Sequence, residues 1–145
     1  MKIIQPSTKE EWDKYYDLRF EVLREPWNQL YASTKDELET TTIHLLVTGD
    51  DNEGIGTGRL QINSADEAQI RSMAIHSDWQ KKGIGSTIVR HIEQTAKKMG
   101  EKYIVLDARE NAVKFYEKLG YRVTGKSYLL FGIIQHYKMR KKFVE

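Results

Sequence analysis

The stretch Ile70–Glu93, "IRSMAIHSDWQKKGIGSTIVRHIE", decides the fold. It opens within "EAQIRSMAI", which reads as a strand. It closes in a run where Ile84, Ile88, Ile92 and Ala96 recur every fourth residue, with Met99 completing the stripe. That spacing predicts an amphipathic helix, with Gly100 supplying its C-cap. Between strand and helix stand Gly83 and Gly85. Glycine admits positive φ and close backbone approach, and the first helical amides lack partners at the positive end of the dipole. A strand, a Gly-x-Gly and a helix in that order can therefore hold an anion. Three readings fit: a phosphate cradle, a dinucleotide fingerprint, or a tight turn that only opens the helix.

Working outward, "KIIQP" reads as a short strand stopped by Pro6. Ser7 with Glu10 forms a capping box for a helix whose stripe runs through Trp12, Tyr15 or Tyr16, Arg19 and Leu23 to Pro26. A loop follows, with a short helix expected over Lys35–Glu39. "TIHLLVTGD" and "IGTGRLQIN", joined by "DDNEG", predict an antiparallel hairpin before "EAQIRSMAI". After the long helix come a buried strand, "KYIVLDA", a short helix, "NAVKFYEKLG", and two closing strands, "YRVTGK" and "IIQHYKMRK". The long helix bridges its flanking strands as a parallel pair, and a cleft opens where parallel neighbours splay.

The 145 residues predict a single domain, 1–145. With 39% hydrophobic and 30% charged residues of mixed sign, the chain can form a core, and disorder is excluded. A net charge of +2 is too small for an electrostatic nucleic-acid or lipid binder, so neither partner is expected. The absence of cysteine removes disulfides and thiolate metal sites, and the scattered histidines lack ligand spacing, so no metal is expected. "LLFGII" falls far short of the roughly 20 residues of a membrane span. The expected setting is soluble and cytoplasmic.

The phosphate-binding readings can be tested on the letters. A P-loop's Gly-x-x-x-x-Gly-Lys is absent, and the dinucleotide fingerprint meets Ile88 where its third glycine belongs, although Asp107 imitates its ribose acid. Read from its strand, the Ile70–Glu93 stretch instead resembles the acetyl-CoA motif of the GNAT N-acetyltransferases, with Gln80, Gly83 and Gly85 on the signature. A second GNAT motif is similar to "RENAVKFYEKLGY", with Ala112, Phe115, Tyr116, Glu117, Lys118, Gly120 and Tyr121 in register. One departure is Arg109, which stands where the commonest pattern has asparagine. "LDARE" with "GIIQHYKMRK" resembles the ElaA-like subgroup, where arginine is usual.

The resemblance implies an α+β fold of three layers, α/β/α. Its sheet would be mixed and mostly antiparallel, with six to seven strands, a V-shaped splay between the two central strands, and about four flanking helices. It also implies transfer of acetyl from acetyl-CoA to a primary amine by direct attack in a ternary complex. Main-chain groups of Met73, Ala74 and Ile75 would pair with the pantetheine arm as an added strand. Amides of Gln80, Lys81, Lys82, Gly83, Ile84, Gly85, Ser86 and Thr87 would cradle the pyrophosphate, and Arg109 would replace the asparagine contact. Tyr116 would protonate the CoA thiolate, since a phenol with pKa about 10 is a donor at neutral pH.

The amine must lose a proton, and His136 or Glu21 is the expected base. Arg19, Arg24 and Trp27, on or just after the first helix, border the acceptor pocket, where arginine could pair with a carboxylate or phosphate. Alternatively, the arginines pair with Glu21 and Glu25 while Trp27 packs in the core. The acceptor is a small-molecule or peptide amine, and the protein a monomer or homodimer. Two rivals stay open: a non-catalytic acyl-CoA sensor or interaction module, and a nucleotide-binding oxidoreductase. The first would bind acetyl-CoA without releasing thiol, and the second would bind NAD in place of CoA.

Overall fold

Apolar period and burial coincide along α2 (Ile84–Lys98), where Ile84, Ile88, Val89, Ile92 and Ala96 are buried in the computed structural model, which describes residues 1–143. Each fully buried Ile or Val side chain contributes about 1.5–3 kcal/mol, so this face anchors the helix. Met99, expected on the same stripe, is half exposed: it is the C-cap, and Gly100 at φ +88° turns the chain away. The helix lies on β3 (Gly54–Ile62) at glycines. A Cβ on Gly58 would meet Ile88 Cγ2 at 2.6 Å, so only glycine admits this approach.

Among the described residues seven strands form one sheet. They are β1 (Lys2–Ile4), β2 (Ile43–Thr48), β3, β4 (Glu67–Ile75), β5 (Tyr103–Arg109), β6 (Arg122–Leu130) and β7 (Ile134–Lys142), in the order β1-β2-β3-β4-β5-β7-β6. All neighbours are antiparallel except β4 and β5, the parallel pair bridged by α2. Alternation on β2 sends Leu45 and Val47 into the core under α2, and Leu46 into a second cluster with Tyr15 and Tyr16 of α1 (Lys9–Leu23). These are the two outer layers of an α/β/α arrangement. The third α-helix, α3 (Val113–Lys118), is a short one, and four 3-10 segments complete the helical content of the described residues.

Three local expectations shift. The capping box forms one residue later than expected, with Thr8 as N-cap: the Glu11 amide donates to Thr8 Oγ1 at 3.1 Å, and Glu11 Oε1 accepts from the Thr8 amide at 3.2 Å. Ser7 also donates to Glu11 through its amide and hydroxyl, which makes Glu11 the better-satisfied acceptor. Helix α1 ends at Leu23, and Pro26 sits inside a 3-10 turn, Glu25–Trp27. No helix forms over Lys35–Glu39. The Leu38 amide donates to Asp36 Oδ1 and the Asp36 amide to Glu39 Oε2, local bonds that compete with a helical ladder, while both carboxylates face inward to arginines. A 3-10 turn over Tyr31–Thr34 precedes them.

Among the described residues no helix is long and apolar enough to cross a membrane.

Candidate active site

The cleft originates in one backbone irregularity. The parallel pairing of β4 and β5 extends only from Glu67–Gln69 to Tyr103–Val105. Beyond it Ser72 takes φ +56°, the β3–β4 register slips between Thr57 and Arg59, and the Thr57 hydroxyl donates to the Ser72 carbonyl at 2.9 Å. A bulge of this kind bends its strand, so β4 leaves β5 and its C-terminal half, with Met73, Ala74 and Ile75, has no strand on that side. Between the diverging strands lies a cavity of about 180 Å³. Its walls come from β4, β5, the end of α1, the 31–36 segment, Tyr116 of α3 and His136 of β7.

Tyr116 and His136 thus share one cavity although 20 residues separate their positions in the sequence. Tyr116 is 7% exposed, its ring edge-on to Phe115 and Tyr121. Burial pushes its phenol well above the ordinary range, so it carries its proton at every working pH. Among the described residues its hydroxyl has no hydrogen-bond partner. His136 is 4% exposed and stacked on Tyr128 at 4.4 Å. Its Nδ1–H donates to the Ile134 carbonyl at 3.0 Å, which leaves the lone pair on Nε2. Burial, with smaller contributions from Arg109 and Arg24, pushes its pKa below the usual imidazole value despite the Ile134 bond and Asp107, so the ring is neutral at pH 7.

At the start of α2, Gly83 is the N-cap at φ +83°, and Lys81 also takes a positive φ of 61°. The Thr87 amide donates to the Gly83 carbonyl at 3.1 Å and its hydroxyl to the same oxygen at 2.9 Å, so Thr87 is engaged within the helix. The earlier amides, through Ser86, are those a helix leaves unpaired. A Cβ on Gly83 would meet nothing within 4 Å, whereas one on Gly85 would press Phe115 at 3.0 Å. Gly83 therefore serves backbone shape, and Gly85 lets α2 and α3 meet. The Gln80 amide group donates to the Ile75 carbonyl at 3.2 Å, and Lys82 lies over the Trp79 ring.

The acceptor-side candidates separate. Arg19 is buried and pairs with Glu39 at 2.8 Å rather than with Glu21 or Glu25, and its other nitrogen donates to the Thr34 carbonyl. Arg24 lines the cavity with its guanidinium over Phe131. Trp27 is half-buried and Glu21 exposed, and neither lines the cavity. Arg109 also lines it and donates to the Leu23 carbonyl at 3.1 Å, supplying a cation to the end of α1, whose last turn has no basic residue.

Among the cavity residues that were not sequence candidates, Arg71, Asp107 and Tyr128 carry charged or phenolic groups that bear on the site. Asp107 accepts from the Ser127 hydroxyl at 2.7 Å. Their convergence depends on β7 and β6 folding back beside β5, which no local pattern encodes.

A helix start beside a splayed strand in a sheet of this order is a fold that known proteins share. The acetyltransferase (GNAT) domain family matches residues 11–143, and the chain belongs to that family. It is accordingly an acetyl-CoA-dependent acyltransferase. The chain is 28% identical over 141 residues, 97% of its own length and 99% of the relative's, to the uncharacterized N-acetyltransferase YjcF of Bacillus subtilis (strain 168). Solved structures share the fold: an acyl-CoA N-acyltransferase from Pseudomonas aeruginosa (TM-score 0.81, 21% identity, 97% of each chain) and Escherichia coli ElaA (0.79, 17%, 97% of each). A GNAT family acetyltransferase from Elizabethkingia anophelis, with acetyl-CoA bound, aligns at 0.74 and 18% identity over 98% of this chain and 97% of that one.

Proposed function

We infer that the protein moves an acetyl group from acetyl-CoA to a primary amine by direct attack. The observation that carries this reading is the joint presence of Tyr116, His136 and an unpaired β4 edge in one cleft. The pantetheine arm would pair with main-chain groups of Met73, Ala74 and Ile75. Its pyrophosphate would meet the amides from Gln80 through Ser86, where the helix dipole favours negative charge by up to about 2 kcal/mol. Lys81 and Lys82 would add charge beside it. The residues present fit such a ligand, since Gly83 leaves open space and the first α2 amides remain free.

The chemistry then follows from two proton positions. The ammonium of the acceptor gives its proton to His136 Nε2, which is neutral and unprotonated at working pH. The amine nitrogen bonds to the thioester carbon, the C–S bond breaks, the thiolate takes the phenolic proton of Tyr116, and the acylated nitrogen sheds its extra proton to water to leave the neutral amide. Tyr116, reprotonated from water, and His136, once its proton is released, return to their starting states. Amides beside the thioester would stabilise the developing oxyanion. His136 suits the role of base better than Glu21, because Glu21 is exposed and outside the cavity.

The test is thiol release from acetyl-CoA across a panel of amines. Tyr116→Phe is expected to lower kcat about 10²-fold, with acetyl-CoA affinity little changed. Equal turnover in that variant would remove the assigned role, and acetyl-CoA binding without thiol release would favour a sensor.

A further inference from the structure

The acceptor half of the cleft carries more positive charge than it neutralises. Arg19 is matched by Glu39, and Asp36 by Arg59, within a closed network. What remains on the walls is Arg24, Arg71 and Arg109 against Asp107. None of the three arginines forms an ion pair among the described residues. They lie close enough to feel each other: burial, then the charges of Arg19 and Arg71, depresses the Arg24 guanidinium, and burial followed by Arg24 depresses Arg109. Arg24 and Arg109, half-buried and without an ion-pair partner among the described residues, are costly there unless an anion visits the cavity, and Arg71 adds a solvent-exposed guanidinium to the same wall.

These arginines are not part of the pyrophosphate cradle. No residue from Gln80 to Thr87 lines this cavity, whereas Tyr116 and His136 do. Arg109 is held by the Leu23 carbonyl, and Arg24 rests on the Phe131 ring beside the β6–β7 turn, so both guanidiniums are held in position. Resting on the acetyl-transfer reading, we propose that the acceptor is a small amine that also bears an oxyanion, carboxylate or phosphate, bound by Arg24 and Arg71. Arg109 adds further charge, and Asp107, a wall carboxylate with no arginine partner among the described residues, supplies a negative group suited to the ammonium end. The volume of about 180 Å³ suits an amino-acid-sized molecule, and the charge disfavours a polycation.

Two readouts separate this proposal from the transfer reading. Thiol release is measured with acetyl-CoA and matched acceptors: an amino acid, its amide, an aminoalkyl phosphate, the parent amino alcohol and a polyamine. The anionic member of each pair is expected to have a KM at least about tenfold lower, and Arg24→Gln or Arg71→Gln to erase that advantage. Thermal unfolding is measured with an N-acetyl amino acid, its amide and an N-acetylaminoalkyl phosphate, product-like ligands that need no reaction.

The acids, and not the amide, are expected to raise Tm in the wild type and not in the two variants. Anion-specific stabilisation without thiol release would sustain the anion site and sink the transfer reading. Equal response to acid and amide, no stabilisation by any of them, preference for the polyamine, or an advantage that survives both variants would overturn the proposal. Carboxylate against phosphate responses identify which oxyanion the site takes.

Discussion

Arg59 and Asp36 form a two-pronged ion pair, Nη1 to Oδ1 at 3.1 Å and Nη2 to Oδ2 at 2.8 Å, with the guanidinium wholly removed from solvent. Glu39 completes the site at 2.7 Å from Arg59 and 2.8 Å from Arg19, so one network ties the 31–42 segment to α1 and β3. Burial works against the Asp36 charge, but the Arg59 guanidinium and the Leu38 amide outweigh it and hold its pKa down at about 2, from 3.8. Because the folded value is the lower one, the unfolded chain binds the proton more readily. The stabilisation is present above pH ~4 and lost as pH falls towards ~2. Asp36→Asn is expected to flatten the acid limb of stability measured by urea unfolding. At pH 7 it should cost about 2–3 kcal/mol, the cost of leaving a buried charge short of a partner. An unchanged acid limb would show that other carboxylates govern acid unfolding.

Gly58→Ala tests how α2 is seated. Its Cβ would lie 2.6 Å from Ile88 Cγ2 and 3.1 Å from Ile92 Cδ1, so the helix must move or repack. A loss of about 1–3 kcal/mol is expected in equilibrium unfolding. A neutral result would mean that α2 can slide on β3 without penalty.

Gly83→Ala separates shape from space. The position is open but has φ +83°, so the variant should fold with a loss of about 1 kcal/mol. Shifting one amide of the proposed pyrophosphate cradle should raise the KM for acetyl-CoA by about tenfold. Gly132, at φ +73° with equally open surroundings in the β6–β7 turn, provides the control: Gly132→Ala carries the same strain and should leave that KM alone. Equal effects of the two variants would count against the cradle.

If His136 is the base, as proposed, the pH profile of kcat/KM follows its ring. Its depressed pKa keeps the ring neutral below the ordinary imidazole range, so activity should persist into mild acid and fall only as the ring protonates. His136→Gln should lower the rate and abolish that acidic limb. A limb at the same pH in the variant would assign it to the acceptor or another group.

Much of the scaffold was legible in the sequence. The Ile84–Ile88–Ile92–Ala96 stripe, the "DDNEG" turn and the Gly-x-Gly at the head of α2 are local patterns, and a helix or hairpin is specified by neighbours three, four or a few residues apart. The parallel β4–β5 pair was readable for the same reason, since α2 must cross over between them. Where two local patterns competed, the letters did not discriminate. Ser7–Glu10 and Thr8–Glu11 both spell a capping box, and the hydrogen bonds that Ser7 gives to Glu11 select the second. Lys35–Glu39 has helical letters, yet its acids are drawn inward by Arg59 and Arg19 from elsewhere in the chain.

By itself, then, the sequence determined the strands, the three α-helices, their order and the family motifs that run through Gln80, Gly83, Gly85 and Tyr116. Only the tertiary structure decided that Ser72 would bulge, that β4 would part from β5, and that Arg19 would be spent on Glu39 while Arg24, Arg71 and Arg109 were left facing the cleft. The physical reason is range. Hydrophobic period and capping act within a turn or two of chain, whereas the partner of a buried charge is whichever group the fold brings within a few ångströms, from any distance along the sequence.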